Sequence, residues 1–458
     1  MSITWLAMAA SVPGQPQLTG AHWLFLGRIQ TRFGGSPLEA GSAFVSCETG
    51  SAMADYLQDG AITTLHNLSQ RPVAELEADL TQWAQQRPMA LIIPTLFSEI
   101  EGDALPAIVD ELATVPYLDE VIIGLDRADA GQFDKARAFF DALPVRHRIL
   151  WHDGPALTAV DEALGAHGLA PLDSGKGRNV WYSLGYFLAS NRATVVAMHD
   201  ADILTYSRGL LARLLYPLAH PTFGYAFAKG YYFRSDGDRL NGRVSRLLVT
   251  PLLRSLRQTL GPSDYLDYIA TFRYPLAGEY AMRADAVANL RIPFDWGLEI
   301  GVLSEVYGSY TPKRICQVDL AGAYDHKHQD VSANDPTQGL HRMAIDIAKA
   351  FYRKLAVSGE VFTPAVFRTL EASFHRHALD LVDQYHHDAE MNGYEVDRRA
   401  EEQLVDVFAQ AIITAGQHFL SRPMELPYIP NWSLVLDTVP DIFDQLLAAV
   451  EADNVSDL

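Results

Sequence analysis

Ala193-Thr-Val-Val-Ala-Met-His-Asp-Ala-Asp202 is a short apolar run that stops at two carboxylates, Asp200 and Asp202. A run of that length, closed by polar residues, reads as a buried parallel strand. In open α/β sheets, ligands bind outside the carboxyl ends of such strands. Two acidic side chains at that end suit a hard divalent cation, and the cation in turn suits a diphosphate. The pattern points to an enzyme that cleaves a nucleotide-activated donor. Asp-x-Asp alone is a weak signal in so acidic a chain. Asp236-Gly-Asp238 repeats it and reads as a solvated turn, given its glycine. The strand ahead of Asp200 is what sets the first pair apart.

Outward from this strand the chain alternates. Met89 to Pro94, Val121 to Asp126 and Arg148 to Trp151 read as strands. Helical stretches lie near Ala107–Leu112, Asp134–Leu143 and Val180–Ala189. Strand and helix alternating from residue 89 to residue 203 predict an α/β fold, a mostly parallel sheet with helices on its faces. Residues 1–88 read as an N-terminal extension of mixed structure, with helical spacing from Pro72 to Gln86 and no chemical motif. Residues 89–335 form the expected sheet domain, and residues 336–458 a helical C-terminal region. In the last part, Thr363-Pro364 marks a helix start, and Ala365–His386 and Arg398–Phe419 are long amphipathic stretches. Glu451 to Leu458 are expected to fray.

The 458 residues are 48% hydrophobic and carry a net charge of -20, enough chain for a large core and too acidic a surface for nucleic acid or anionic membrane. An anionic substrate then needs a local basic pocket or a metal. Two cysteines, Cys47 and Cys316, with no CxxC, exclude a disulfide scaffold and a thiolate zinc site and fit a reducing cytoplasm. No apolar stretch reaches transmembrane length. The N-terminus lacks a basic n-region and meets Pro13 early, so it reads as part of the fold and not as a secretion signal.

Several other segments bear chemistry, each with a plain alternative. Ser174-Gly-Lys-Gly-Arg-Asn179 can bring backbone amides and Lys176 to an anion, or be an ordinary turn. It lacks Walker spacing. Lys229, Arg234, Arg239, Arg243 and Arg246 cluster in a chain poor in base; they form either a solvated face or a pocket for phosphate or carboxylate. Phe272–Ala281 and Asp295–Gly301 each set one Glu among small and aromatic residues, costly to bury without a partner. Trp296 suits a sugar ring or the core. Tyr324-Asp-His-Lys-His-Gln329 offers two imidazoles, either structural or metal-ligating. His375, His377, His386 and His387 read as surface residues of a helix.

Taken in order, these segments resemble a known family. From Pro94 to about Val331 the chain looks like a retaining GT-A glycosyltransferase of the glucosyl-3-phosphoglycerate synthase type, close to mannosyl-3-phosphoglycerate synthases. The resemblance rests on Pro94-Thr-Leu96, Gly175-Lys-Gly177, His199-Asp-Ala-Asp202, Gly242-Arg-Val-Ser-Arg-Leu-Leu248, Pro251-Leu-Leu253, Leu276-Ala-Gly-Glu-Tyr-Ala281, Gly297-Leu-Glu-Ile-Gly301, Gln317-Val-Asp-Leu320 and His326.

The resemblance implies roles. Pro94, Thr95, Leu96, Glu99, Asp126, Lys176, Asp200, Ala201 and Asp202 would line the nucleotide-sugar. Asp202 and His326 would ligate Mg²⁺ or Mn²⁺. Lys229, Gly242, Arg243, Val244, Ser245 and His328 would receive a small anionic acceptor such as 3-phosphoglycerate. Glu299, the Leu276 carbonyl and Asp200 would stand in the reaction centre. Two departures bear on the donor. Ser98 stands where the family places a Glu on the ribose, with Glu99 beside it, and Gly124-Leu-Asp-Arg127 replaces Asp-Ser-Gly-Ser.

The implied reaction is metal-dependent hexosyl transfer from a nucleotide-diphosphate sugar, UDP-glucose, with retention of anomeric configuration. The cysteine usage, the charge and the lack of a transmembrane stretch lead to the expectation of a cytoplasmic protein with neither nucleic acid nor integral membrane as partner, and a homodimer through the helical C-terminal region is expected. The alternatives are mannosyl transfer from GDP-mannose to 3-phosphoglycerate or glycerate, and a sugar nucleotidyltransferase. The last is disfavoured because Phe97-Ser-Glu-Ile-Glu-Gly102 is no glycine-rich loop. A non-catalytic nucleotide-sugar binder and a metallohydrolase are further rivals; the second needs more His and Asp ligands than this stretch supplies.

Overall fold

The computed structural model describes residues 58, 60–68, 71–325, 339–425 and 428–454; Cys47, His326 and His328 lie outside them. The strands are β1 (Thr63–Leu65), β2 (Met89–Leu96), β3 (Leu118–Asp126), β4 (His147–Trp151), β5 (Val195–Met198), β6 (Phe227–Asp236), β7 (Arg239–Leu240), β8 (Tyr280–Arg283), β9 (Ile292–Pro293), β10 (Ile315–Tyr324) and β11 (Tyr428–Ile429). The main sheet runs β1-β10-β6-β8-β5-β2-β3-β4, with β7 on β6. Pairing is parallel except that β8 runs against both β5 and β6, and β7 against β6. The α/β expectation and its four strands hold.

The central strands read as continuous apolar runs because helices cover both faces. Leu91, Ile93, Val121 and Ile123 are buried on one face, Ile92, Ile122 and Val196 on the other. The helix expected over 72–86 runs Val73–Ala84, and that expected near 134–143 runs Ala130–Phe140. The sheet takes in a strand from before residue 88, since β1 pairs with β10. A helix at Pro155–Gly165 was missing from the sequence reading.

The C-terminal stretches form helices Pro364–Asn392 and Arg398–Ser421, the first capped by Thr363, whose hydroxyl accepts from Val366 N at 3.3 Å. The expectation that the chain frays from Glu451 is corrected for residues 451–454. Helix Ile442–Asn454 lies along the edge strand β4, where Glu451 binds Arg146 and Arg148, each at 2.9 Å. Asn454 bonds the main chain of Ile149 through both ends of its amide, at 2.9 and 2.8 Å. The tail thus covers a sheet edge that would otherwise stay open. No helix among the described residues is long and apolar enough to cross a membrane.

The chain leaves β2 for β3 and β4 on one side, then returns to pair β5 on the other. This reversal is a topological switch point, and the crevice beyond the carboxyl ends of β2 and β5 is where such sheets bind ligands. Pro94, Thr95 and Leu96 end β2, Asp126 ends β3, and Asp200 and Asp202 follow β5.

Candidate active site

Asp200 leaves β5 against the main chain of Gly278, so closely that a Cβ there would overlap the carboxylate. Only glycine permits this approach. Helix Lys176–Ser190 begins at the same crevice and sets the Lys176 ammonium 2.6 Å from Asp200 Oδ1 and 3.2 Å from Glu299 Oε1. Lys176, read from sequence as part of a loop, is therefore the first residue of a helix. Burial works against its charge, but Asp200 and Glu299 overcome that and hold the ammonium well above its usual range. Glu299 lies in the first turn of helix Leu298–Ser309, whose start is fixed by Gly297 N donating to Asp295 Oδ1 at 2.9 Å.

Burial, then the charge of Asp200, push the Asp202 carboxyl up to about 7; Lys176 opposes this, and Glu99 and Glu279 add to it. Such crowding of carboxylates around Lys176 is costly unless a further cation joins them. The donors are hard oxygens, so the site fits Mg²⁺ or Mn²⁺ in kind. Among the described residues no group of three or more His, Cys, Asp and Glu has the arrangement of a metal centre. The remaining expected ligand, His326, lies outside them, in the segment that follows β10.

At the β3 end of the crevice, Asp126 is 6% exposed and accepts from Asn179 Nδ2 at 3.1 Å, while the same amide donates to Gly124 O at 2.7 Å. Burial raises the Asp126 carboxyl to about 6, against the Asn179 hydrogen bond. Thr95 is buried and its hydroxyl donates back to Ile93 O. Glu99 faces the acidic pair closely enough to act on Asp202. Ala201 is buried in the core between the two acids.

Glu279 is fully buried and accepts two phenols, Tyr324 at 2.6 Å and Tyr232 at 2.7 Å. The two rings stack in parallel, with centroids 3.6 Å apart. Burial first, then Asp200, raise the Glu279 carboxyl, and the two hydroxyls counter this. Tyr232 also forms part of the wall of a cavity of about 340 Å³ with Arg234, Gly242, Ser245, Tyr274 and Arg254. Gly242 opens that wall in a left-handed turn, φ +77°, which hands the chain to a π-helical turn at Ser245–Val249. Such turns are frequent at functional sites.

The crevice brings together Asp200, Asp202, Lys176, Glu99 and Glu299, with Leu276 on the loop that carries Gly278. The residues expected to receive the acceptor separate. Gly242 and Ser245 line the cavity, whereas Arg243 does not and Val244 packs on the core. Lys229 is 1% exposed and donates inward to Ala277 O at 2.5 Å. Burial lowers its ammonium to about 8 despite Glu299 and Glu279. His328, like His326, lies outside the described residues. Trp296 is 44% exposed, which excludes the core alternative. Asp236-Gly-Asp238 is the expected turn, joining β6 to β7. His375 and His377 are half-buried on their helix, where they hydrogen-bond Asp406 and Gln258. Asn179, Tyr232 and Tyr324 carry no expected role from the sequence; Arg234 is one of the five clustered cations, and for it the pocket alternative holds; Glu279 is the buried Glu of Phe272–Ala281. The i, i+2 spacing of Tyr232 and Arg234 on β6 is the signal that places both on one face.

No family model matches the chain. Among curated proteins, the glucosyl-3-phosphoglycerate synthase of Persephonella marina is 41% identical over 405 residues, covering 88% of this chain and 100% of that protein. That of Methanococcoides burtonii is 38% identical over 406 residues, covering 87% and 98%. Among solved structures, glucosyl-3-phosphoglycerate synthase from Mycobacterium tuberculosis in complex with Mn²⁺, UDP-glucose and phosphoglyceric acid has a TM-score of 0.48 at 22% identity, covering 65% of this chain and 88% of that one.

Proposed function

The chain belongs to the glucosyl-3-phosphoglycerate synthase family, and from that premise we propose that it transfers glucose from UDP-glucose to 3-phosphoglycerate with the help of a divalent cation. The observation that carries the reading is Lys176, held between Asp200 and Glu299 where the sheet reverses direction. This is a junction of one cation and several carboxylates, and a separate cavity walled by arginines reaches Pro275 on the loop that leads to Gly278.

Pro94, Thr95, Leu96 and Asp126 border the nucleoside, with the Asp126 carboxylate as acceptor for a base or ribose donor and Glu99 toward the ribose. Asp202, with Asp200 beside it and His326, would hold Mg²⁺ or Mn²⁺, which acts as a Lewis acid on the departing diphosphate. Lys176 sets its own positive charge against the same leaving group. The acceptor's anionic groups enter the cavity at Gly242 and Ser245, which fixes its hydroxyl near the Leu276 carbonyl. Holding that hydroxyl in place removes much of the entropic barrier to attack. Glu299 meets the hydroxyls of sugar or acceptor and is itself steadied by Lys176. Attack on the face from which the diphosphate departs gives retention, with no protein nucleophile. The same proposal has the protein act in the cytoplasm as a homodimer, in keeping with its few cysteines.

The test is a transfer assay crossing UDP-glucose and GDP-mannose with 3-phosphoglycerate and glycerate, with and without Mg²⁺ or Mn²⁺. Turnover with UDP-glucose and 3-phosphoglycerate, abolished by chelation, is expected. Preference for GDP-mannose overturns the donor assignment, and metal-independent turnover overturns the role of the acidic pair.

A further inference from the structure

Arg234 lies near the end of β6, two residues after Tyr232 and on the same wall of the cavity. Its Nη1 donates to the Tyr274 hydroxyl at 3.3 Å. Its Nε and Nη2 are buried and have no hydrogen-bond partner. Among the described residues no carboxylate pairs with it, and the cavity lining contains neither Asp nor Glu. Two other donors on the same lining are also buried without partners, Asn241 Nδ2 and Ser245 Oγ. Ser245 is 6% exposed. Exposed Arg254, Arg257 and Arg273 stand elsewhere along the wall.

A buried guanidinium that leaves two N–H groups unmet is destabilising, since each unmade bond forfeits the hydration that the group had in the unfolded chain. A ligand that supplies the missing acceptors removes that cost. Neighbouring Arg246 shows the contrast. It lines the same cavity, but Glu401 binds its Nη2 at 2.6 Å and Asn241 O accepts from its Nε at 2.9 Å. Two of the three Arg246 nitrogens are thus committed to the fold and only Nη1 is unmet, whereas Arg234 leaves both Nε and Nη2 unmet. A carboxylate can be met by the fork of one arginine, whereas the donors of Asn241 and Ser245 call for additional oxygens on the same ligand. A phosphate group offers them.

We propose that Arg234, with Asn241 and Ser245, binds the phosphate of the acceptor and sets the preference for a phosphorylated over an unphosphorylated acid. This rests on the glucosyl-transfer reading above. It moves the chief anion contact from Arg243, which does not reach the cavity, to a residue on the neighbouring strand. The placement suits transfer. Pro275 lines the same cavity, and the loop runs on from it through Leu276 to Gly278 against Asp200. A phosphate held at Arg234 leaves the rest of a three-carbon acid to extend toward that loop.

The experiment compares wild type with Arg234→Ala, Arg234→Lys and Arg243→Ala in two assays. The first measures kcat/KM for 3-phosphoglycerate and for glycerate at saturating UDP-glucose. Arg234→Ala is expected to shrink the preference for the phosphorylated acid by roughly 10- to 100-fold, the scale of a lost charge-assisted hydrogen bond, with the KM for UDP-glucose within about twofold of wild type. Arg234→Lys, which keeps the charge and loses the fork, should fall between. The second follows thermal unfolding with inorganic phosphate and no substrate. Phosphate should raise the Tm of wild type and not that of Arg234→Ala. If Arg234→Ala fails to fold, Arg234→Lys decides on the same two readouts. An unchanged preference and an unchanged phosphate shift overturn the proposal while wild-type turnover leaves the family reading standing. So does a loss of preference seen in Arg243→Ala and not in the Arg234 variants. If wild type transfers glucose to neither acid, the functional reading fails, and the phosphate titration still reports on Arg234.

Discussion

The Lys176 ammonium stands 2.6 Å from Asp200 Oδ1 and joins the first turn of a helix to the end of β5. It also reaches Glu299, so one side chain offsets two carboxylates from separate elements. Lys176→Ala removes that offset and, on the proposed function, the charge set against the leaving diphosphate. The expected result is a fall in kcat of about 10²- to 10³-fold, typical of a lost electrostatic contact to developing charge, with circular dichroism unchanged. A folded Lys176→Ala enzyme with near-normal kcat would remove Lys176 from the reaction.

Gly278 presses its main chain on the Asp200 carboxylate, and a Cβ there overlaps it. Gly278→Ala must therefore displace Asp200 from the position that Lys176 helps to set. A displacement near one ångström in a catalytic centre costs about 10²-fold in rate. The variant should lose kcat on that scale, whereas Gly237→Ala, in open space on the β6–β7 turn, should keep its turnover. Equal kcat in the two variants contradicts the close approach.

Much of this fold was legible because its strands are buried on both faces. Val195–Met198 and the Val121–Leu125 part of β3 are continuous apolar runs, and such runs are visible without partners. The helix at Pro155–Gly165 adds to the expected elements; Leu157, Val160 and Leu164 are its buried residues. The acidic pair was legible from the strand that delivers it. The arginine that faces the cavity was legible only as one member of a cluster. Arg234, Arg243 and Arg246 look alike in sequence, and they separate only in space: Glu401, far along the chain, claims Arg246, Arg243 is not among the residues lining the cavity, and Arg234 keeps unmet donors. Glu279 was conspicuous as a buried acid, but its partners Tyr232 and Tyr324 come from two other strands that sequence spacing does not connect.

Asp126 gives a pH dependence with a definite sign. Burial, opposed by the Asn179 hydrogen bond, raises its carboxyl from 3.8 to about 6 in the folded chain. The folded protein thus holds this proton where the unfolded chain has released it. The contribution to stability is fully present below pH 3.8 and is lost as pH rises through about 6. The donor should respond in the opposite sense, because the proton removes the carboxylate as an acceptor. KM for UDP-glucose should climb as pH falls through about 6. Asp126→Asn should flatten this profile between pH 5 and 7.5. A profile that survives the substitution unaltered assigns the titration to another group.

Arg246 and Glu401 form an ion pair of 2.6 Å with side chains only 8% and 6% exposed. It ties helix Arg398–Ser421 to the π-helical turn that also carries Ser245. Arg246 further lies over the Tyr385 ring, 4.7 Å from its centroid, and holds Asn241 O through Nε. Glu401→Ala leaves a buried guanidinium with its strongest partner gone. Breaking such a pair from one side costs about 3–5 kcal/mol, so the urea midpoint should drop sharply. Glu401→Gln keeps an acceptor oxygen and should cost clearly less. Because Arg246 steadies Asn241 on the cavity wall, the KM for 3-phosphoglycerate should rise in Glu401→Gln while that for UDP-glucose stays put. Should both KM values rise together, the helical region supports the whole crevice and not the acceptor wall in particular; should neither move, the pair serves stability alone.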